Sequence, residues 1–177
     1  MKKIKVSLCD LANDLNGIDN KSIPIGVGYV SAYCKKIHGD SVTLNVFRTF
    51  RKFWEDALKQ PPDVVGFGSY DWNYNLTLTT INKLKKLNKN YLIIFGGANA
   101  EIDPEDNKIF LKKNKNIDFI VYGDGEKPFS NILENYKKLD MCEDWRNKIK
   151  STPIDGCRTL LNDKLICGKP FDAVMDL

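Results

Sequence analysis

The chain carries one histidine, His38, and five cysteines, at positions 9, 34, 142, 157 and 167. A single imidazole leaves Ser-His-Asp and Cys-His catalysis without a partner set and excludes a histidine-rich zinc site. His38 stands beside Gly39 at the end of a predicted helix, where a surface position or a contact with the helix dipole is expected. The cysteines form neither CxxC nor CxxxCxxC, so no thiolate cluster for an iron–sulfur centre is visible. Their odd number and irregular spacing give no disulfide framework and point to reduced thiols in a cytoplasmic protein. The phosphate-gripping GxxxxGK(S/T) is missing, and Gly26-Val27-Gly28 falls inside a helical stretch rather than in a turn after a strand. No catalytic residue and no metal ligand is assigned.

What the chain offers instead is a set of apolar runs that end in glycine and small polar groups. They stop at Cys9-Asp10, at Gly68-Ser69-Tyr70-Asp71-Trp72-Asn73, at Gly96-Gly97-Ala98-Asn99 and at Gly123-Asp124-Gly125-Glu126. Glycine at such a position lets a ligand lie against the main chain, because no Cβ holds it away. Gly66 and Gly68 lie inside a run and give up packing. They either let a helix approach the sheet or leave room for something flat or bulky. Cys9 is expected as a half-buried small hydrophobe at the mouth of the first strand. Tyr70, Trp72 and Tyr74 serve either as packing or as the wall of a site for a large ligand.

The elements that must position these ends alternate along the chain. Strands are expected at 3–9, 41–47, 63–69, 91–96 and 117–123, and helices at 24–39, 51–60, 73–87, 104–114 and 127–139. The continuous apolar run DVVGFGS, bounded by Asp63 and Ser69, marks a central parallel strand covered on both faces. Five strands each followed by a helix specify a doubly wound α/β fold with a parallel five-stranded sheet in the order 2-1-3-4-5. The ligand crevice is then at the carboxyl ends of the strands, beside the switch point between the first and third. From Met141 the pattern changes. Residues 151–177 read as a small hairpin with Asn162-Asp163 near its turn, then a tail without a further core-forming element, like a linker.

Four stretches in register carry a resemblance: 24-PIGVGYVSAY, 62-PDVVGFGSYDWN, 94-IFGGAN and 118-DFIVYGDGEKPF. Over residues 1–140 the chain resembles the N-terminal cobalamin-binding domain of B12-dependent radical S-adenosylmethionine (SAM) enzymes, and residues 152–177 resemble the hairpin and linker into their barrel. The resemblance implies a flavodoxin-like domain at 1–140, with 141–177 leading toward a radical SAM domain. It implies cobalamin as the cofactor, with its nucleotide tail threaded beside the central strands, where Gly66, Gly68, Gly96 and Gly97 would make room. Cofactor contacts carried over by motif fall on Asp10, Leu11, Ser69, Tyr70, Asn73, Gly96, Gly97, Ala98, Gly123, Gly125 and Glu126. The full-length enzymes also hold SAM and a 4Fe–4S cluster and commonly act as methyltransferases. This chain departs from the wider B12 pattern at DxHxxG, since Asp10 is followed by Leu11, Ala12 and Asn13, so no histidine of this chain would reach the lower face of cobalt. Without CxxxCxxC the chain is not expected to be catalytic alone.

Two other readings share the architecture. A receiver domain needs an acidic pair after the first strand and an aspartate ending the third; here Asp10 has no acidic neighbour and Asp71 lies past Ser69. A flavodoxin-type nucleotide site needs a first loop rich in hydroxyls and amides for phosphate, which is lacking. At net charge +4 the lysines of 83-KLKKLNKN-90 and 112-KKNKN-116 read as solvated surface rather than a nucleic-acid footprint. No apolar stretch approaches the roughly 20 residues of a membrane span. The start, MKKIKVSLCDLAND, reads as a strand rather than a signal peptide.

Overall fold

The computed structural model describes residues 3–12, 23–100, 103–139 and 143–170. Seven strands and six α-helices alternate through them. The order is β1 (Ile4–Ala12), α1 (Ile25–His38), β2 (Val42–Thr49), α2 (Phe50–Lys59), β3 (Val64–Gly68), α3 (Tyr74–Leu87), β4 (Leu92–Gly96), α4 (Pro104–Lys113), β5 (Phe119–Val121), α5 (Glu126–Lys137), α6 (Trp145–Ser151), β6 (Cys157–Leu161) and β7 (Lys164–Cys167). The loop at 13–22 lies outside the described residues.

The sheet runs β2-β1-β3-β4-β5-β6-β7. Its first five strands are parallel in the expected order, with β3 between β1 and β4 and wholly buried. The expectation of five strands is corrected to seven. The expected C-terminal hairpin exists, turning at Asn162 (φ 48°) and Asp163 (φ 60°), the left-handed pair of a tight two-residue hairpin. It does not stand apart: β6 pairs antiparallel with β5 and prolongs the sheet. Nor is the region beyond 141 free of core-forming elements. The unforeseen helix α6 buries Trp145 and Ile149, which join Ile154 and Cys157 in the same apolar cluster as Val6, Leu8 and Ile132. The run is too short and too lysine-rich for its two apolar residues, four apart, to show a helical face.

Helices cover both faces. On one, α1 and α5 pack on Leu8, Ile94 and Val121, with α6 beside them. On the other, Phe53 of α2, Ile81 and Leu84 of α3 and Leu111 of α4 pack on Val65, Phe67 and Phe95. Some boundaries are set locally. Asp103 caps α4, its carboxylate accepting from the amides of Glu105 and Asp106, and Pro104 takes the first helical position.

At the amino edge of the sheet one carboxylate gathers several elements. Asp118, entering β5, is 1% exposed. Its side chain accepts from the Ile93 amide at 2.9 Å and from Lys85 Nζ of α3 at 3.0 Å. Lys150 of α6 lies 3.1 Å away, and Arg146 of α6 completes the ring. Its backbone carbonyl accepts from Thr159 Oγ1 of β6 at 2.6 Å. Burial works against the charge, yet Lys85, Lys150 and Arg146 together hold the carboxyl at about 2.

At the carboxyl edge the ends of β3 and β4 interlock. Gly97 has φ +93°, and a Cβ there would lie 2.6 Å from the Ser69 carbonyl oxygen and 2.7 Å from its amide nitrogen. Only glycine fits this crossing.

Two predictions follow from these edges. Asp118→Asn strands Lys85 and Lys150 as buried unpaired charges and costs about 3 kcal/mol in urea unfolding at neutral pH. Because the folded pKa of about 2 lies below the roughly 3.9 of an unfolded aspartate, this contribution is present above about pH 4 and fades as pH falls toward 2. The wild-type and Asn unfolding midpoints should therefore converge in acid. Gly97→Ala is expected to cost about 2–3 kcal/mol through strain and backbone contact, whereas Gly28→Ala, inside α1 with nothing within 4 Å of the new Cβ, should stabilise by about 0.5–1 kcal/mol.

Candidate functional site

Above the centre of the sheet, between α1 and α5, lies a cavity of about 270 Å³. Its floor is Leu8 of β1, Gly66 and Gly68 of β3, Ile94 and Gly96 of β4 and Val121 of β5. Val27 and Val30 of α1 form one wall and Phe129 of α5 the other. The mouth opens at the carboxyl edge among Gly97, Gly123, Asp124, Gly125 and Glu126. Among the described residues no lysine or arginine lines it, and its two carboxylates lie at the mouth. A deep apolar slot with a glycine rim suits an uncharged aromatic or alicyclic group better than a phosphate, which calls for cations or a nest of amides.

The glycines of the floor do not all do the same thing. A Cβ on Gly66 would fall 2.5 Å from Phe129 Cε2 and 2.9 Å from Leu8 Cδ2, so the missing side chain first makes way for the Phe129 ring. Gly97 makes way for Ser69. Gly68 and Gly96 are looser, their nearest neighbours being Val27 Cγ1 at 3.2 Å and the Val121 carbonyl oxygen at 3.3 Å. Close approach of neighbouring elements thus accounts for Gly66 and Gly97, while at Gly68 and Gly96 a Cβ would be tight and its neighbour would have to give by a few tenths of an ångström.

The aromatic loop after β3 is braced from beneath. The Asn73 side chain accepts from the Tyr70 amide at 2.8 Å and donates to Asp10 Oδ1 at 3.0 Å and to the Gly68 carbonyl at 3.2 Å. Arg48 of β2 lies 3.0 Å from the Asp10 carboxylate and donates to the Asp10 carbonyl at 2.9 Å. Burial raises the Asp10 pKa, against the opposing pull of Arg48 and Asn73. The fixed loop sends Tyr70 over the slot toward α1, where its hydroxyl would lie 3.1 Å from a Cβ on Gly26. Trp72 stacks on Tyr70 with ring centroids 4.6 Å apart and is 65% exposed.

Of the positions singled out from sequence, Tyr70, Gly96, Gly97, Gly123, Gly125 and Glu126 meet at this cavity. Asp10, Ser69 and Asn73 are buried behind it, in the bracing network or, for Ser69, beneath Asn99 at 3.4 Å. Leu11 is wholly buried in the core on the opposite face, and Ala98 is exposed outside the slot. Cys9 is fully rather than half buried, on the face away from the cavity, and burial pushes its thiol pKa well up. Tyr74 also packs on that face. His38 is not a surface residue: it is buried between α1 and α5, its Nε2 3.0 Å from Ser130 Oγ, and burial lowers its pKa. Asp71 stands exposed, and Asp10 is spoken for by Arg48, so no receiver-type acidic pocket forms among the described residues. The sequence reading missed Val27, Val30 and Phe129 as lining residues. Their apolar helical spacing is the same as that of ordinary core, and only the gap between α1 and α5 distinguishes them.

Among the described residues no group of histidine, cysteine or carboxylate side chains could hold a metal, and no helix is long and apolar enough to cross a membrane.

Comparison with known proteins bears on the fold and the family. Over 97% of its length the chain is similar in structure to the cobalamin-dependent S-adenosylmethionine radical enzyme OxsB, with a TM-score of 0.63 and 16% identity, and it spans 23% of that chain. A looser likeness, TM-score 0.48 at 17% identity, links 75% of the chain to 58% of a cobalamin-binding protein from Desulfitobacterium hafniense DCB-2. No curated protein matches. The family model for the B12 binding domain matches residues 15–133, which take in the first two turns of α5 and every lining residue of the cavity except Leu8. The chain belongs to the B12-binding domain family.

Proposed function

We propose that this chain is the cobalamin-holding module of a radical SAM enzyme, with the nucleotide tail of the cofactor in the slot between α1 and α5 and the corrin ring over the carboxyl edge. The observation that carries the reading is the slot itself: apolar, free of basic residues and rimmed by Gly96, Gly97, Gly123 and Gly125. A terminal phosphate dianion such as that of flavin mononucleotide would find no cation among the described residues there, whereas the cobalamin tail carries an uncharged heterocyclic base and only a singly charged phosphodiester. The residues present fit the group in kind. Leu8, Val27, Val30 and Phe129 offer apolar contact to a heterocyclic base, Gly68 and Gly96 offer main chain, and Tyr70 with Trp72 offers an aromatic shelf at the edge.

Ala12, where DxHxxG-type domains carry histidine, is a buried apolar residue, and Asp10 is held by Arg48 instead. The lower face of the corrinoid would thus meet no imidazole of the described residues. When bound, cobalamin supplies carriage of a methyl group; the chain's own part is to hold and orient it and to keep water from the slot. On this reading residues 1–140 hold the cofactor, and 141–177, whose α6 and β6–β7 hairpin complete the same core and sheet, lead to a radical SAM domain, in the same or a partner chain, that carries SAM and the 4Fe–4S cluster. Methyl transfer is the activity proposed for the assembled enzyme.

The test is to mix the purified chain with hydroxocobalamin, desalt it and record the visible spectrum. Stoichiometric retention is expected. Val30→Trp, which fills the slot from a partly buried helix position, should weaken retention at least about tenfold while circular dichroism is unchanged. Equal retention by the Trp variant would place the cofactor elsewhere, and a wild type that stays colourless after hydroxocobalamin but retains yellow flavin mononucleotide in a parallel mixture would overturn the reading.

A further inference from the structure

The two lysine-rich stretches, 83–90 and 112–116, are brought together in the fold. In a parallel sheet every helix-to-strand connection returns to the amino edge, so the α3–β4 and α4–β5 loops lie side by side at the end opposite the glycine-rimmed slot. Helix α6 closes against them. The result is an open groove of about 600 Å³ lined by six cations, Lys85, Lys86, Lys89, Lys115, Arg146 and Lys150, against the single carboxylate of Asp118. That surplus of five positive charges exceeds the net charge of +4 carried by the whole chain.

Structure accounts for half of them. Lys85, Arg146 and Lys150 converge on Asp118, and Arg146 also donates to the carbonyl of Tyr91 at 3.3 Å. Lys86, Lys89 and Lys115 are exposed on the rim, with no carboxylate partner among the described residues. The carboxyl ends of α3 and α4 favour a cation or two each, but three further lysines beside an already overcompensated carboxylate repel one another. Their concentration in one concave place calls for an anion from outside.

The form of the groove selects among anions. It has no aromatic or apolar wall on which a base could stack, and its lining holds no glycine amide nest. Its one arginine is already engaged, so the bidentate fork that suits phosphate is taken. Lysines on flexible stems, spread over a groove, suit carboxylates spaced along a chain. We propose that this groove docks an acidic stretch of a partner polypeptide, at the end of the sheet remote from the cofactor slot, so that both can be occupied together.

Fluorescence anisotropy of the full chain with a fluorescein-labelled decaglutamate peptide at low salt tests this. Saturable binding is expected, weakening as salt is raised. The rim variant Lys86→Glu/Lys89→Glu/Lys115→Glu should lose at least about tenfold in affinity, while the control Lys36→Glu/Lys52→Glu/Lys164→Glu, equal in net charge and placed on other faces, should lose far less. Circular dichroism of both variants checks that they fold. No saturable binding by the wild type, equal loss in the two variants, or tighter binding of a single-stranded decanucleotide or of inorganic triphosphate than of the peptide would each overturn the proposal.

Discussion

The buried carboxylate of Asp118 ties together β4, β5, β6, α3 and α6 at the amino edge of the sheet. It fixes the start of β5 against β4 through the Ile93 amide, draws α3 and α6 in through Lys85, Lys150 and Arg146, and offers its carbonyl to Thr159 of β6. A lone carboxylate in so dry a place would be neutral, since burial alone raises its pKa. Three cations reverse that. The same arrangement keeps Lys85, which burial drives down to about 8, from giving up its charge altogether. An ion cluster of this kind adds less to stability than its contacts suggest, because each charge is stripped of water. Its larger effect is on geometry: it sets where α6 and the β6–β7 hairpin join the sheet.

At the opposite edge the constraint is steric. Ser69 and Gly97 cross so closely that no Cβ fits, and this crossing, with the Asn73–Asp10–Arg48 brace, fixes the loop that carries Tyr70 and Trp72. The slot exists because α1 and α5 straddle the middle of the sheet, with Phe129 settled over Gly66 rather than filling the space between them. Gly66 therefore acts through a neighbouring side chain. In the proposed cofactor site it sets the depth of the floor.

The two edges are chemically unlike because the parallel topology sorts the loops. Strand-to-helix turns, with their glycines and backbone amides, all fall at one end; helix-to-strand returns, with the lysines that follow helix C-termini, all fall at the other. Cofactor holding and the proposed acidic docking are thus separated by the length of the strands, and neither needs residues from the other.

Much of this was determined by sequence alone. Continuous apolar runs bounded by Asp63 and Ser69 or ending at Gly96 dictate buried parallel strands, the alternation with helices dictates a doubly wound sheet whose usual order is 2-1-3-4-5, and Asn162-Asp163 dictates a tight hairpin, since each is a local or periodic property of the chain. Six of the candidate positions at the strand ends also meet at the slot, because topology places every strand end at one edge. What only the tertiary structure decided depends on residues far apart in the chain. That β6 extends the sheet, that α6 joins the core, that Cys9 and Leu11 face away while Val27, Val30 and Phe129 line the slot, and that His38 is buried against Ser130 are all matters of which face packs on what. The two lysine runs look like any solvated surface until the sheet brings them to one groove. Periodicity fixes which residues are apolar or charged; three-dimensional packing fixes whom they face.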